Sequence, residues 1–386
     1  MHSKNSMNRR TFVKNTSLTA VGIGLGGPAA LATSTAVTAN KLPKWRGFNI
    51  LDFFAPDPAR SRKATPEEHF KWMQDWGFDF IRLPMAYPTY LDIDRTKDIT
   101  PADVYKIDTK RVDKIDELVT LAHKYNIHVS LNLHRAPGFC INSGFREPYN
   151  LWKDEEAQKA FYYHWELWAK RYQNVSAKKI SFDLLNEPCL RNDMNDQHSR
   201  AGAVPGDIYR KVAKAAAEAI QKYNPHHLVI ADGNNVGQDV ITEITDLNIA
   251  QSCRGYNPGM ISHYKAPWAA KDPDSMPQPK WPMQTGNQIM DRKMLEKFYH
   301  PWIDVMKKGV GVHCGECGCW NKTPHDVFLA WFSDVLDILS SNGIGFGLWE
   351  FRGDFGILDS RREDVAYEDW HGSKLDRKLL TLLQKY

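Results

Sequence analysis

Apart from its first segment, the chain carries no surplus of charge. Of its 50 lysines and arginines, Lys4, Arg9, Arg10 and Lys14 fall in residues 1–39, where no acid occurs, so the remainder sets 46 acidic residues against an equal number of basic ones. A neutral body does not bind nucleic acid by counterion release, and no nucleic-acid partner is expected. Long hydrophobic runs are also missing. The stretch from Leu18 to Leu31 is broken by Gly22, Gly24, Gly26, Gly27 and Pro28, too short to span a bilayer, and nothing later approaches a span. No internal repeat, Pro/Ser/Gly-rich linker or appended module follows residue 41. Metal-ligand spacing is lacking as well. His313-Cys314-Gly315-Glu316-Cys317-Gly318-Cys319 holds suitable ligand types, but no second paired cluster exists, and strand alternation turns Cys314 and Cys317 apart, so no metal is expected. The 6 cysteines suit an oxidising compartment, yet no pairing is selected; Cys140 and Cys189 are one candidate pair.

What is present begins with an address. Asn8-Arg9-Arg10-Thr11-Phe12-Val13-Lys14, the weakly apolar stretch and the small residues at Val37-Thr38-Ala39 resemble a bacterial twin-arginine export signal cleaved near Ala39. Asn8 stands where Ser or Thr is usual, which leaves the ordinary secretory route open. Residues 1–39 are thus expected to be an export signal, and residues 40–386 a single periplasmic or secreted domain, monomeric and not membrane-embedded.

Short apolar strands alternate with amphipathic helices throughout that domain. Strands are expected at Gly47 to Ile50, Phe80 to Leu83, Ile127 to Leu133, Ile180 to Leu185, Leu228 to Asp232, Met260 to His263, Val310 to Cys314 and Ile344 to Trp349. Helices are expected at Pro66 to Trp76, Thr109 to Tyr125, Glu155 to Tyr172, Asp207 to Tyr223, Val240 to Leu247, Ile289 to Lys308, Pro324 to Ser341 and Lys374 to Tyr386. Val112, Ile115, Leu118, Val119 and Ala122 recur at helical spacing, while the strands read as runs buried on both faces. Strict alternation implies an α/β fold, a (β/α)8 TIM barrel, with a doubly wound sheet as the alternative.

Two of the strands deliver a carboxyl at their C-terminal ends, the face on which barrels hold their active sites. Ile180 to Leu185 runs into Asn186-Glu187-Pro188, and Val310 to Cys314 runs into Gly315-Glu316. A single glutamate near a strand end is usually a surface group, but two on matching strands form a pair that can cleave a glycosidic bond. One protonates the leaving oxygen while the other attacks the anomeric carbon. Glu350, beside Trp349, is expected to point away by alternation.

The sequence resembles glycoside hydrolase family 5 over nearly all of this domain. The resemblance is carried by Trp45-Arg46-Gly47-Phe48-Asn49, Asp79-Phe80-Ile81-Arg82-Leu83-Pro84, Leu131-Asn132-Leu133-His134-Arg135-Ala136-Pro137-Gly138, Asn186-Glu187-Pro188, Ser262-His263-Tyr264, Gly315-Glu316 and Leu348-Trp349. It implies Glu187 as acid/base and Glu316 as the nucleophile that forms a covalent glycosyl-enzyme. It further implies that Arg82 supports Glu316, that Asn186 bonds the sugar 2-hydroxyl, that His134 and His263 orient the sugar or Glu316, and that Trp349 offers an aromatic face. Many members place a Tyr two residues after the sixth-strand His; here Lys265 stands there, and Tyr264 would take the role if the strand end bulges. The expected activity is endo-β-1,4-glucanase, without cofactor, on a β-linked oligo- or polysaccharide. β-Mannanase and exo-β-1,3-glucanase or β-glucosidase remain alternatives; the Leu133 to Gly138 run resembles exo-β-1,3-glucanases, and a loop carrying Trp268 and Trp281 either forms extra subsites or blocks one end of the cleft. From other classes stand a metal-dependent hydrolase and a non-catalytic carbohydrate-binding barrel.

Overall fold

Glycine marks where neighbouring strands crowd: a Cβ at Gly47 would lie 1.7 Å from the carbonyl oxygen of Phe80. The computed structural model describes residues 42–142, 147–193, 196, 198–286 and 288–386, all within one compact unit, Val37–Tyr386. The proposed export signal lies outside the described residues.

The barrel strands are β1 (Arg46–Asn49), β2 (Phe80–Ala86), β3 (His128–Ala136), β4 (Ile180–Asp183), β5 (Leu228–Asp232), β6 (Ala250–Gly255), β7 (Val312–Cys317) and β8 (Gly345–Leu348). Each pairs in parallel with the next, and β8 pairs with β1, which closes the barrel. The long helices are α1 (Glu67–Asp75), α2 (Thr109–Lys124), α3 (Glu155–Arg171), α4 (Gly206–Gln221), α5 (Arg292–Lys307), α6 (His325–Ser341) and α7 (Arg377–Lys385). Asp108 caps α2 by accepting from the Lys110 and Arg111 amides, and Val112, Ile115, Leu118, Val119 and Ala122 form its buried stripe. The fold is the expected (β/α)8 barrel.

Two elements differ from expectation. The sixth strand is Ala250–Gly255, not Met260 to His263, whose Gly259–Ser262 stretch is a short helix. The strand hid because Gln251, Ser252 and Arg254 occupy it, and their side chains find partners inside the fold. The helix sought at Val240 to Leu247 contracts to a 3-10 turn at Thr242–Ile244. The Gln251 amide explains this: it accepts from the Ile241 N–H at 2.9 Å and donates to the Ile241 carbonyl at 2.8 Å, so the backbone there is bonded to β6. Ile289 and Met290, expected to start a helix, belong instead to the strand Gln288–Met290 of a hairpin with Met283–Thr285.

The main core lies between the strands and the helices, where Trp165, Trp168, Trp302 and Trp331 are fully buried. Inside the barrel a lower layer of Trp45, Phe80, Ile230 and Ala250 fills the floor. Trp45 stacks on His128 with ring centroids 3.8 Å apart. Above that floor the interior holds Arg82, Asp183, Asp232 and Arg254, where barrels ordinarily place aliphatic side chains.

Candidate active site

Each charged residue of that upper layer follows from strand alternation. Arg82 lies two residues after inward Phe80, Asp232 two after Ile230, and Arg254 four after Ala250. Burying such groups is costly unless they are paired. Arg82 donates from Nε to Asp183 at 2.6 Å, from Nη1 to Glu316 Oε1 at 2.6 Å and from Nη2 to Asn186 Oδ1 at 2.9 Å. Arg254 donates from Nη1 to Asp232 Oδ1 at 3.1 Å, with Nη2 closing a second bond to the same carboxylate. Its Nη2 also donates to Asn186 Oδ1 at 3.0 Å, and its Nε to Glu187 Oε1 at 3.2 Å.

Glu187 follows β4, and its φ of +48° lies in the left-handed region that few side chains adopt. The Glu187 N–H donates to Asp232 Oδ2 at 2.9 Å, which holds this turn and directs the carboxyl into the cleft. Burial raises the Glu187 carboxyl to about 7, the negative charge of Glu316 adds to the rise, and Arg254 opposes it. Glu316 arrives by a different device. The β6–β7 register shifts between Cys314 and Glu316, and the β7–β8 register between Cys314 and Cys317. This bulge at Gly315 turns Glu316 inward. It also corrects the expected divergence of Cys314 and Cys317, because both face Gly255 on the outer side of the barrel.

The amide orientation of Asn186 is assigned from its network: two guanidinium donors face Oδ1, which leaves Nδ2 for His134 Nε2 at 3.3 Å and Glu187 Oε2 at 3.5 Å. His134 is neutral, its pKa held well below the usual value by burial and by Arg82 and Arg254. Its Nδ1 lies 4.0 Å from Glu316 Oε1. Trp349 stacks on His134, with centroids 5.4 Å apart, and meets the edge of Phe54.

These groups open on a cleft of ≈ 780 Å³ whose lining includes Glu187, Glu316, His134, His263 and Trp349. His263 follows the short helix, not a strand, yet its ring reaches Tyr256 at 4.9 Å. Tyr264 does not line the cleft. Tyr256, one residue past β6, donates its hydroxyl to Glu316 Oε2 at 3.2 Å and occupies the place sought at Tyr264. The displaced sixth strand accounts for the error, since counting from the wrong strand end selects the wrong tyrosine. Glu350 also departs from expectation: it lines the cleft, paired with Arg62, because regular alternation ends with β8 at Leu348. Trp268, Trp320 and Phe355 form an aromatic wall, with Trp268 and Trp320 centroids 4.6 Å apart. Trp281 is elsewhere, donating to Asp334 at 2.8 Å.

Asp183, Asp232, Arg254 and Tyr256 are the site residues that sequence reasoning missed. Asp183 and Asp232 stood at the ends of correctly placed strands, and charged residues in otherwise apolar runs were the available signal. The 6 cysteines are all free and buried, Cys140 and Cys189 included. Among the described residues no group of His, Cys, Asp and Glu is arranged to hold a metal ion, and no helix is long and apolar enough to cross a membrane.

The family model described as Cellulase (glycosyl hydrolase family 5) matches residues 36–354. Endoglucanase C of Acetivibrio thermocellus is 26% identical over 327 residues, which cover 78% of this chain and 88% of that protein. Cellodextrinase A of Ruminococcus flavefaciens is 27% identical over 305 residues, covering 78% and 83% respectively. A crystal structure described as that of a glycoside hydrolase is 35% identical, covers 89% of this chain and 99% of its own, and superposes with a TM-score of 0.79.

Proposed function

The chain belongs to glycosyl hydrolase family 5 and is a glycosidase that hydrolyses O-glycosyl bonds, and from this we propose that it cleaves β-glucan with retention, as an endo-β-1,4-glucanase. The observation that carries the mechanism is the pair Glu187 and Glu316, from matching strand ends, facing one cleft with different surroundings. Endoglucanase C and cellodextrinase A support the substrate class.

Glu187 keeps its proton to about pH 7, as a general acid requires near neutrality. Arg82 and Tyr256 donate to the two oxygens of Glu316, an arrangement that suits a carboxylate poised to attack. In the first step Glu316 bonds the anomeric carbon while the glycosidic C–O bond breaks and the Glu187 proton passes to the leaving oxygen. In the second step Glu187 takes a proton from water, the resulting hydroxide displaces Glu316, and the product regains its original anomeric configuration. Asn186 is buried beneath the cleft and reaches the sugar 2-hydroxyl only by giving up the long Nδ2 bond to Glu187, whereas Trp349 and the Trp268 wall offer apolar faces to the ring C–H surfaces.

Glu316→Ala is expected to lose turnover and to recover it with azide, giving a glycosyl azide of inverted configuration. A variant that hydrolyses substrate normally would overturn the assignment. Product lengths from β-glucans, mannan and xylan would separate the endo reading from an exo one and glucan from mannan. We also propose export of the chain with cleavage near Ala39; an exported protein that retains residues 1–39 on N-terminal sequencing would refute the cleavage.

A further inference from the structure

Among the described residues, Arg254 is the guanidinium that reaches both carboxyls. Its Nε bonds Glu187 Oε1 at 3.2 Å, and its Nη2 lies 3.5 Å from Glu316 Oε1. Arg82 reaches Glu316 alone of the two. The Arg254 side chain is 1% exposed and its guanidinium is held by Asp232 through two bonds.

We propose that Arg254, fixed by Asp232, is a positioning residue that stabilises negative charge as it passes between Glu316 and Glu187, and thereby sets the alkaline limit of activity. The proposal rests on the acid/base and nucleophile assignment above. Before reaction the charge resides on Glu316 and Glu187 is protonated. When Glu316 forms its bond to the anomeric carbon it becomes a neutral ester, and Glu187, having given its proton to the leaving oxygen, becomes the carboxylate. One unit of negative charge has moved from one end of the guanidinium to the other. A cation already oriented toward both positions follows that movement without reorganising, which is the condition under which electrostatic stabilisation is strongest. Hydrolysis of the ester reverses the transfer.

The charges facing Glu187 are Glu316 from β7, Asp232 from β5 and Arg254 from β6, with Arg82 from β2 behind Asn186. Tyr256 and His134 also face the site, and both are neutral there, the phenol raised well above its ordinary value by burial and the imidazole lowered by it. Cys189, two residues along, has its thiol raised to about 11. Of these groups Arg254 lowers the Glu187 carboxyl and Asp232 raises it.

The two members of one ion pair therefore have opposite effects, a result that simple loss of structure would not produce. The test is the pH dependence of kcat/KM on a soluble β-glucan oligosaccharide, with folding verified by circular dichroism. Arg254→Met is expected to move the alkaline limb up by about 1 to 3 pH units, and Arg254→Lys to return it toward the wild-type position. Asp232→Asn is expected to move it down. An unmoved limb in folded Arg254→Met, or shifts of the same sign in Arg254→Met and Asp232→Asn, overturns the proposal. If Arg254→Met does not fold, Arg254→Gln, which removes the charge and keeps polar contacts, decides, and an alkaline limb that it leaves unmoved overturns the proposal. Glu187→Ala separates the two levels. If its alkaline limb persists, the acid/base assignment fails; if it loses the limb while the other variants leave theirs unmoved, only the role of Arg254 fails.

Discussion

Tyr256 approaches Glu316 Oε2 at 3.2 Å from a phenol whose ionisation burial opposes, so it acts as a neutral donor. A hydrogen bond to a charged group contributes about 1.5–3 kcal/mol. If that bond stabilises Glu316 as it is regenerated from the ester, Tyr256→Phe should lower kcat by roughly 10- to 100-fold, whereas Tyr264→Phe should stay near wild type. Steady-state kinetics on one β-glucan checks both, and a larger loss in Tyr264→Phe would reverse the roles given to the two tyrosines. At this scale the motif-borne residues were legible: Glu187 and Glu316 stood inside distinctive tripeptides, and Arg82, His134, Asn186 and Trp349 lay in motifs on or just after barrel strands. Arg254 was not, because a charged residue inside an unrecognised strand looks like any loop arginine until its carboxylate partners are brought beside it.

Gly315 shows what an element must supply beyond its sequence pattern. A regular β7 would direct Cys314 and Glu316 to the same face; the bulge separates them, so that the thiol packs outside and the carboxyl enters the barrel. The space is tight on the inner side. A Cβ at position 315 would meet Ser252 Oγ at 2.6 Å and Arg254 Nη1 at 3.4 Å. Gly315→Ala should therefore displace Glu316 and lower kcat by roughly 10²-fold, with KM little changed. Overpacking should also cost about 1–3 kcal/mol of stability, read from thermal unfolding. Wild-type kcat in this variant would mean that the bulge does not place the proposed nucleophile. β6 teaches the same lesson in reverse. Above inward Ala250 its residues Ser252 and Arg254 belong to the charged layer, and Gln251 bonds the Ile241 backbone on the other face, so the apolar run that betrays most barrel strands is absent.

Over the whole molecule, buried histidines and carboxyls oppose each other in acid. Burial holds His128, His164 and His313 down to about 3 and His69 and His263 to about 4. The unfolded chain binds those protons below about 6.5, so the stability they contribute is complete above that pH and is lost as pH falls through 4 toward 3. Glu187 and Glu350, raised to about 7 chiefly by burial, have the opposite sign: their contribution is complete below about 4.5 and is lost as pH rises through 7. The two sets partly cancel between pH 4.5 and 6.5. Asp183, likewise raised to about 7 by burial, opposes the histidines down to about 3.8, so below 4.5 the opposition fades and then ends. Calorimetry should find the unfolding midpoint falling most steeply between pH 4.5 and 3, and a midpoint that is flat or rises there would contradict the burial of neutral imidazoles.

Chain order alone decided the architecture: alternating apolar strands and amphipathic helices close into a barrel because each must bury its face against the other kind. It also decided the two glutamates, since strand polarity carries both to the same end. Closure in three dimensions decided everything that depends on neighbours from distant strands. Which tyrosine meets Glu316, where the guanidinium of Arg254 lies and which glutamate holds its proton are set by distances of a few ångströms in a buried, weakly screening interior. Such distances exist only once β1 has met β8.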